Sequence, residues 1–226
     1  MTSLRHLLIG ICLSLILASC ATPPAKKPMP VATIPGEQPT VPGMPAARTP
    51  EEFMSQSLTT TGDLRYQLQL AAASLYINNG QLDQAQEILR GIPPVTASAT
   101  TRRQIKILSA HIALAMNQPR DALNLLVFTE ILPPAEQLQV SEIRARAFMD
   151  AGYPLDAVKT RVQMDSLLSD QTLKEANHQI IWETLALLPA TTLNQISEAP
   201  LHPQLMGWVE LAKITKRSQV DWQYLQ

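Results

Sequence analysis

The chain has 226 residues, enough for one sizeable domain or two small ones with a buried core. Its 18 basic and 19 acidic residues give a formal charge of −1, without the clustered basic surplus that phosphate contacts need, which argues against nucleic acid as the main partner. Hydrophobic residues reach 46% while aromatics are 4% and glycines number 8, a profile that suits packed helices and argues against a β-sandwich.

Residues 1–19 read as a secretory signal. Arg5 and His6 precede an apolar run from Leu7 to Leu17, too short for a membrane span, which needs about 20 apolar residues. The run ends in Leu17-Ala18-Ser19-Cys20, the pattern of a bacterial lipobox. A thiol at the membrane surface, preceded by small residues that enter the peptidase, marks Cys20 for S-diacylglycerol and N-acyl attachment. The only other cysteine, Cys12, would leave with the signal, so the mature chain has no internal disulfide and relies on its core. Ala21 rather than aspartate follows the anchor, which by analogy with enterobacterial lipoproteins implies the outer membrane, facing the periplasm. Three acyl chains on one cysteine make a stable anchor where one does not.

Residues 20–50 are the lipidated cysteine and a tether. Nine of the thirty residues 21–50 are proline, half of the chain's 18, and no hydrophobic periodicity survives. Polyproline-II geometry is expected, reaching roughly 90 Å at about 3.1 Å per residue if fully extended.

Residues 51–170 predict helices that repeat. Asn79-Gly80-Gln81, Asn117-Gln118-Pro119 and Ala151-Gly152-Tyr153 are turns opening into helices with early alanines at Ala85, Ala122 and Ala157. Those alanines stand 37 and 35 residues apart, close to the period of about 34 residues of a tetratricopeptide repeat. Ala73, Ala110 and Ala145 lie at the small position of each first helix, and Tyr76 and Phe148 at its aromatic position, where Ala113 departs. Leu82, Ala85, Ile88, Leu89 and Ile92 form one apolar stripe; Ile105, Leu108, Ile112 and Ala115 form a second, and Val140, Ile143, Ala147 and Ala151 a third. Pro93-Pro94 and Pro133-Pro134 are read as terminators of two second helices. The fold class is therefore all-α, a tetratricopeptide-like helix-turn-helix solenoid, with Ala73, Gly80, Ala85, Ala110, Ala122, Ala145, Gly152 and Ala157 as its packing positions.

Residues 171–226 read as the helical cap of that stack. Leu173, Ala176, Ile180, Ile181, Leu185 and Leu188 predict a long helix ended by Pro189, Thr191 to Ser197 a short one, and Leu205, Val209, Ala212 and Ile214 a last one after Pro203.

Chemistry is scarce. Glu175 and His178 share a helical face at i, i+3 spacing, but no third metal ligand follows and a surface hydrogen-bonded pair is the expectation. His111 sits beside an apolar stripe as a structural residue, and Asp150 and Asp156 are helix-end acids. No phosphate loop, nucleophile elbow or mature thiol is present, so neither an enzyme nor a cofactor is expected. Protein or peptide binding remains, in the groove that the first helices of such solenoids form, with Gln67, Gln69, Asn78, Gln104, Lys106 and Arg144 as candidate contacts.

The lipobox, the proline-rich tether and the helical repeats together resemble the amino-terminal half of the LpoA (LppC) family. Gly207-Trp208-Val209-Glu210-Leu211-Ala212 is similar to that family's Gly-Trp-aliphatic-Glu-Leu-Ala run, with Ile181-Trp182 and Leu185 before it. The resemblance implies an outer-membrane lipoprotein that regulates peptidoglycan synthesis without catalysis, by activating or positioning a bifunctional penicillin-binding protein. Family members continue into a second domain resembling a periplasmic solute-binding protein, implicated in docking on the synthase, whereas this sequence ends at Gln226. The rival interaction reading is a helical-repeat scaffold lipoprotein of outer-membrane protein assembly or secretion, and the rival from the enzyme class is a wall-modifying hydrolase.

Overall fold

A computed structural model describes residues 49–198 and 200–224, with side chains to residue 217. The signal, Cys20 and nearly all of the tether lie outside the described residues. Ten α-helices follow in order: α1 (Pro50–Leu58), α2 (Gly62–Asn78), α3 (Leu82–Gly91), α4 (Ala99–Ala115), α5 (Pro119–Leu125), α6 (Pro134–Asp150), α7 (Pro154–Met164), α8 (Gln171–Leu187), α9 (Ala190–Ser197) and α10 (Pro203–Tyr224), with a 3-10 turn at Asp165–Leu167. No strand occurs among the described residues, and the all-α expectation holds.

Local chemistry explains where the helices begin. Thr49 and Glu52 form a reciprocal capping box at α1: the Glu52 N–H donates to Thr49 Oγ1 at 3.2 Å and the Thr49 N–H to Glu52 Oε2 at 3.4 Å. Ser98 caps α4 by accepting from the Thr101 N–H, and Asp170 caps α8 by accepting from that of Leu173. Pro50, Pro119, Pro134 and Pro154 stand in the first turns of α1, α5, α6 and α7, where the missing N–H had no helical partner to lose and φ is already set. This corrects the reading of Pro133-Pro134 as a stop. α5 ends at Leu125, and the diproline starts α6, with Pro133 as its N-cap. Pro93-Pro94, by contrast, does follow closely on the end of α3 at Gly91.

Three turns between paired helices share one geometry. Gly80, Asn117 and Gly152 take φ of 74°, 59° and 84°, the left-handed region. In each, the next residue's N–H (Gln81, Gln118, Tyr153) donates back to a carbonyl in the helix (Tyr76, Ala113, Phe148) at 2.8 Å. The left-handed residue's own N–H donates to Ile77, Leu114 or Met149 at 2.9–3.0 Å. This is the Schellman arrangement, which satisfies carbonyls that the helix end leaves open. A side chain at Gly80 or Gly152 would meet nothing within 4 Å, so the cost of one is conformational rather than steric. Gly80→Ala and Gly152→Ala are each expected to destabilise by about 1 kcal/mol through the left-handed penalty. Gly207→Ala, on the exposed interior of α10 and equally open, is expected to stabilise by about 0.5–1 kcal/mol. Urea midpoints that move in opposite directions at unchanged slope would establish both signs.

The core runs through the stack as four clusters. Phe53, Leu68, Ala71 and Ala72 join α1 to α2. Leu70, Ala73, Ala85, Leu89, Ile92, Ala97 and Ile112 join α2, α3 and α4. Ile107, Ala110, Ala113, Leu114, Ala122, Leu126, Val140, Ile143 and Ala147 join α4, α5 and α6. Val158, Val162, Ile181, Leu185, Leu188, Leu193, Ile196, Leu205, Val209 and Ala212 join α7 to α10. α2 and α4 each contribute to two clusters and bury two faces. The expected α4 stripe is therefore only one of these: Ile105, Leu108 and Ile112 pack toward α3, Ala115 is exposed, and a second set of residues packs toward α6.

Candidate interaction surface

The alanines that let helices approach are sealed: Ala73, Ala85, Ala110, Ala122 and Ala145 are 0% exposed and Ala157 1%. Around them, polar contacts tie each first helix to the next. The Asp63 carboxylate, on α2, accepts from the Ser98 N–H at 3.2 Å and from Thr101 Oγ1 at 2.7 Å, at the N-terminus of α4. Burial works to raise this carboxyl, but those hydrogen bonds outweigh it and hold it below the usual aspartate value. Arg103 of α4 then grips Glu136 of α6 in a fork, 2.6 Å from Nε to Oε2 and 3.2 Å from Nη2 to Oε1. One step on, Arg161 of α7 donates to both Glu142 oxygens of α6, at 3.3 and 3.0 Å, and to Asn177 Oδ1 of α8 at 3.3 Å. Asn177 returns an amide N–H to the Arg161 carbonyl at 3.1 Å and another to Asp165 at 3.3 Å.

Several predicted groove residues are engaged in this framework instead. Arg144 Nη2 donates to the Leu126 carbonyl at 2.7 Å, closing the end of α5. Lys106 lies over the Phe128 ring, 5.5 Å from its centroid. Gln69 is half-buried, its Oε1 without a hydrogen-bond partner. Gln67 and Asn78 are exposed and Gln104 half-buried on their first helices, with Gln67 Nε2 donating to Asp63 at 3.2 Å.

The histidines also sort by packing. His178 pairs with Asp165 at 2.8 Å and lies against the Trp208 ring, with centroids 5.4 Å apart. Glu175 takes a hydrogen bond from Gln171 instead, so the expected Glu175–His178 pair is corrected: the tertiary partner is closer than the neighbour on the helix. No cluster of three or more possible metal ligands occurs among the described residues. Asp150 pairs with Arg146 at 3.7 Å and Asp156 with Lys159 at 3.2 Å.

His111 is half-buried on α4, and burial pushes its imidazole below the ordinary value, aided by the Arg146 charge and opposed by Glu142. A histidine that binds protons less readily when folded keeps its stability contribution above the unfolded value of about 6.5 and loses it as pH falls. The free energy of unfolding should therefore drop as pH falls below about 6.5, and His111→Gln should flatten that slope. Denaturation curves at paired pH values test this; an unchanged slope in the variant would count against it.

In the Gly207–Ala212 run, Trp208 packs beside the buried Val209 and Ala212, which are 0% and 2% exposed. Glu210 accepts from Lys213 at 2.8 Å, Leu211 is 48% exposed, and Gly207 lies open. Sequence reasoning missed the Arg161–Glu142–Asn177 cluster, and nothing local signals it, since its members stand 16 and 19 residues apart.

The profile of the LppC lipoprotein family matches residues 44–226. The penicillin-binding protein activator LpoA of Vibrio cholerae is 26% identical over 212 residues, covering 93% of this chain and 33% of that protein. LpoA of Klebsiella pneumoniae is 23% identical over 182 residues, covering 76% and 26%. The chain thus spans about a quarter to a third of the length of these relatives. Among solved structures, the amino-terminal domain of Escherichia coli LpoA superimposes with a TM-score of 0.65 at 22% identity, covering 78% of each chain. Full-length LpoA of Haemophilus influenzae gives 0.60 at 22% identity, covering 75% of this chain and 31% of that one. These likenesses establish the fold as that of an LpoA amino-terminal domain.

Proposed function

The chain belongs to the LppC lipoprotein family, and from that membership we propose a non-catalytic regulator of peptidoglycan synthesis that activates or positions a bifunctional penicillin-binding protein. The observation that carries this reading is the match of nearly the whole helical stack, residues 44–226, to a family whose relatives here are named penicillin-binding protein activators. Lipid on Cys20 would hold the domain at the outer membrane, with the proline-rich segment spanning part of the periplasm. No described helix is long and apolar enough to cross a membrane; of the buried polar residues, Thr101, Glu136, Arg161 and Asn177 join helices, while Ser57, Thr160 and Thr184 bond to carbonyls of their own helices.

The test uses purified residues 21–226 and the bifunctional penicillin-binding protein of the same organism. Binding, glycan polymerisation and cross-linking are measured with and without this chain. Binding with faster synthesis is the expected result. Binding without stimulation would reduce the role to positioning, and no binding would overturn the proposal.

A further inference from the structure

The three Schellman turns fix a common register for α2, α4 and α6. Counting back 13 residues from Gly80, Asn117 and Gly152 reaches Gln67, Gln104 and Gln139, the same amide at the same helical position three times. α2 packs on α4 and α4 on α6, so the three side chains form a row across the stack. Gln67 and Gln139 are exposed and Gln104 half-buried. Neither Gln104 nor Gln139 makes a side-chain hydrogen bond among the described residues, and Gln67 spends only one N–H, on Asp63. Seven residues on, along the same face, come Ser74, His111 and Arg146. Arg146 lies 3.7 Å from Asp150 by its Nε, longer than a hydrogen bond, and its guanidinium makes no side-chain hydrogen bond among the described residues, which leaves donors for a carboxylate. The carboxylate of Glu142, also on α6, is occupied by Arg161.

A primary amide offers a donor and an acceptor side by side, the complement of the backbone N–H and C=O of a single residue in an extended chain. Packed helices stand about 8–10 Å apart, and a chain extended as polyproline II repeats its orientation every three residues, about 9 Å, so one rung per repeat can address every third residue. A sugar strand would call for broad aromatic platforms, and none of the nine residues in register at these rows or at the one four residues before them is Phe, Tyr or Trp. A folded partner surface would favour apolar anchors, which this row lacks.

We propose that Gln67, Gln104 and Gln139 form a ladder that reads the backbone of an extended polypeptide segment, with an acidic side chain of that segment set against Arg146. The ladder rests on the reading of this chain as a binding protein and gives that reading its surface and the conformation of its partner. Main-chain recognition carries affinity with little dependence on side-chain sequence, and the arginine supplies direction.

The probe is a library of linear twelve-residue peptides, each with one fixed glutamate, screened against purified residues 21–226. The comparison protein carries Gln67→Ala, Gln104→Ala and Gln139→Ala together, and thermal melts verify that its fold is kept. Bound peptides should lose affinity at least tenfold in the triple variant and at least tenfold when one central backbone nitrogen is methylated. Capture of no peptide, equal binding by the triple variant, or indifference to N-methylation would each overturn the ladder. The penicillin-binding protein is measured in parallel. If it binds the triple variant as well as the parent while peptide binding is lost, the ladder stands and the synthase docks elsewhere. If it binds neither protein, the proposed function fails while the peptides still judge the ladder.

Discussion

Glu142→Ala is expected to destabilise the domain by about 3 kcal/mol, because it strands a guanidinium that folding has already taken out of water. Arg161 is 6% exposed, its Nε has no hydrogen-bond partner, and its two terminal nitrogens depend on Glu142 and Asn177. Loss of the carboxylate removes two of its three side-chain bonds and the charge that compensates it. The size of the effect separates a stranded charge from a lost attraction. If stranding dominates, Glu142→Leu combined with Arg161→Met should recover most of the loss, since a packed apolar pair of similar volume replaces the ion pair without an unmet charge. Urea denaturation of the two single variants and the double variant gives the cycle. A double variant as unstable as Glu142→Ala would show that the pair itself, and not its incompleteness, supports the junction of α6, α7 and α8.

Phe53→Ala should cost about 3–4 kcal/mol by the usual range for emptying a buried aromatic site. Its distribution along the chain is more informative than its size. Phe53 is 2% exposed and is the one large aromatic in the cluster with Leu68, Ala71 and Ala72, where the alanines offer little volume to collapse into the space. α1 has nine residues, too few to be stable as an isolated helix. The variant is therefore expected to release α1 while α4 to α10 keep their protection. Hydrogen exchange resolved by peptide should show fast exchange over residues 50–58 and little change beyond α3. Uniform loss of protection across the stack would mean that the helices unfold as one cooperative unit.

What could be read from the chain depended on the distance over which each interaction acts. Ala73, Ala85, Ala110, Ala122, Ala145 and Ala157 are legible because a small residue at a close helix crossing recurs at the repeat interval. Gly80 and Gly152 are legible because only the turn that pairs the helices requires a left-handed residue there. Asn117 is the informative exception: an amide that tolerates the same conformation hides the motif from a search for glycine. The second buried face of α4 was not legible, since a single apolar stripe describes a helix with one neighbour and α4 packs against helices on both sides. The Pro133-Pro134 pair misled for a local reason, because proline is as compatible with a first turn as it is hostile to an interior one. The partners of Arg103, Arg161 and His178 lie 33, 19 and 13 residues away on other elements, beyond any periodicity. The row of glutamines needed both levels at once: the residues are in the sequence, but their equivalence follows from the turns.

Those turns also bear on how the chain reaches this form. Each closes its helix pair with hydrogen bonds spanning five residues or fewer, and each pair then rests mainly on its neighbours in the chain. Little has to be brought together from far apart, so the search is short and the barrier is set by local steps. A chain that emerges N-terminus first can thus lay down one helix pair upon the last, as bricks are laid in a course, without waiting for its distant end.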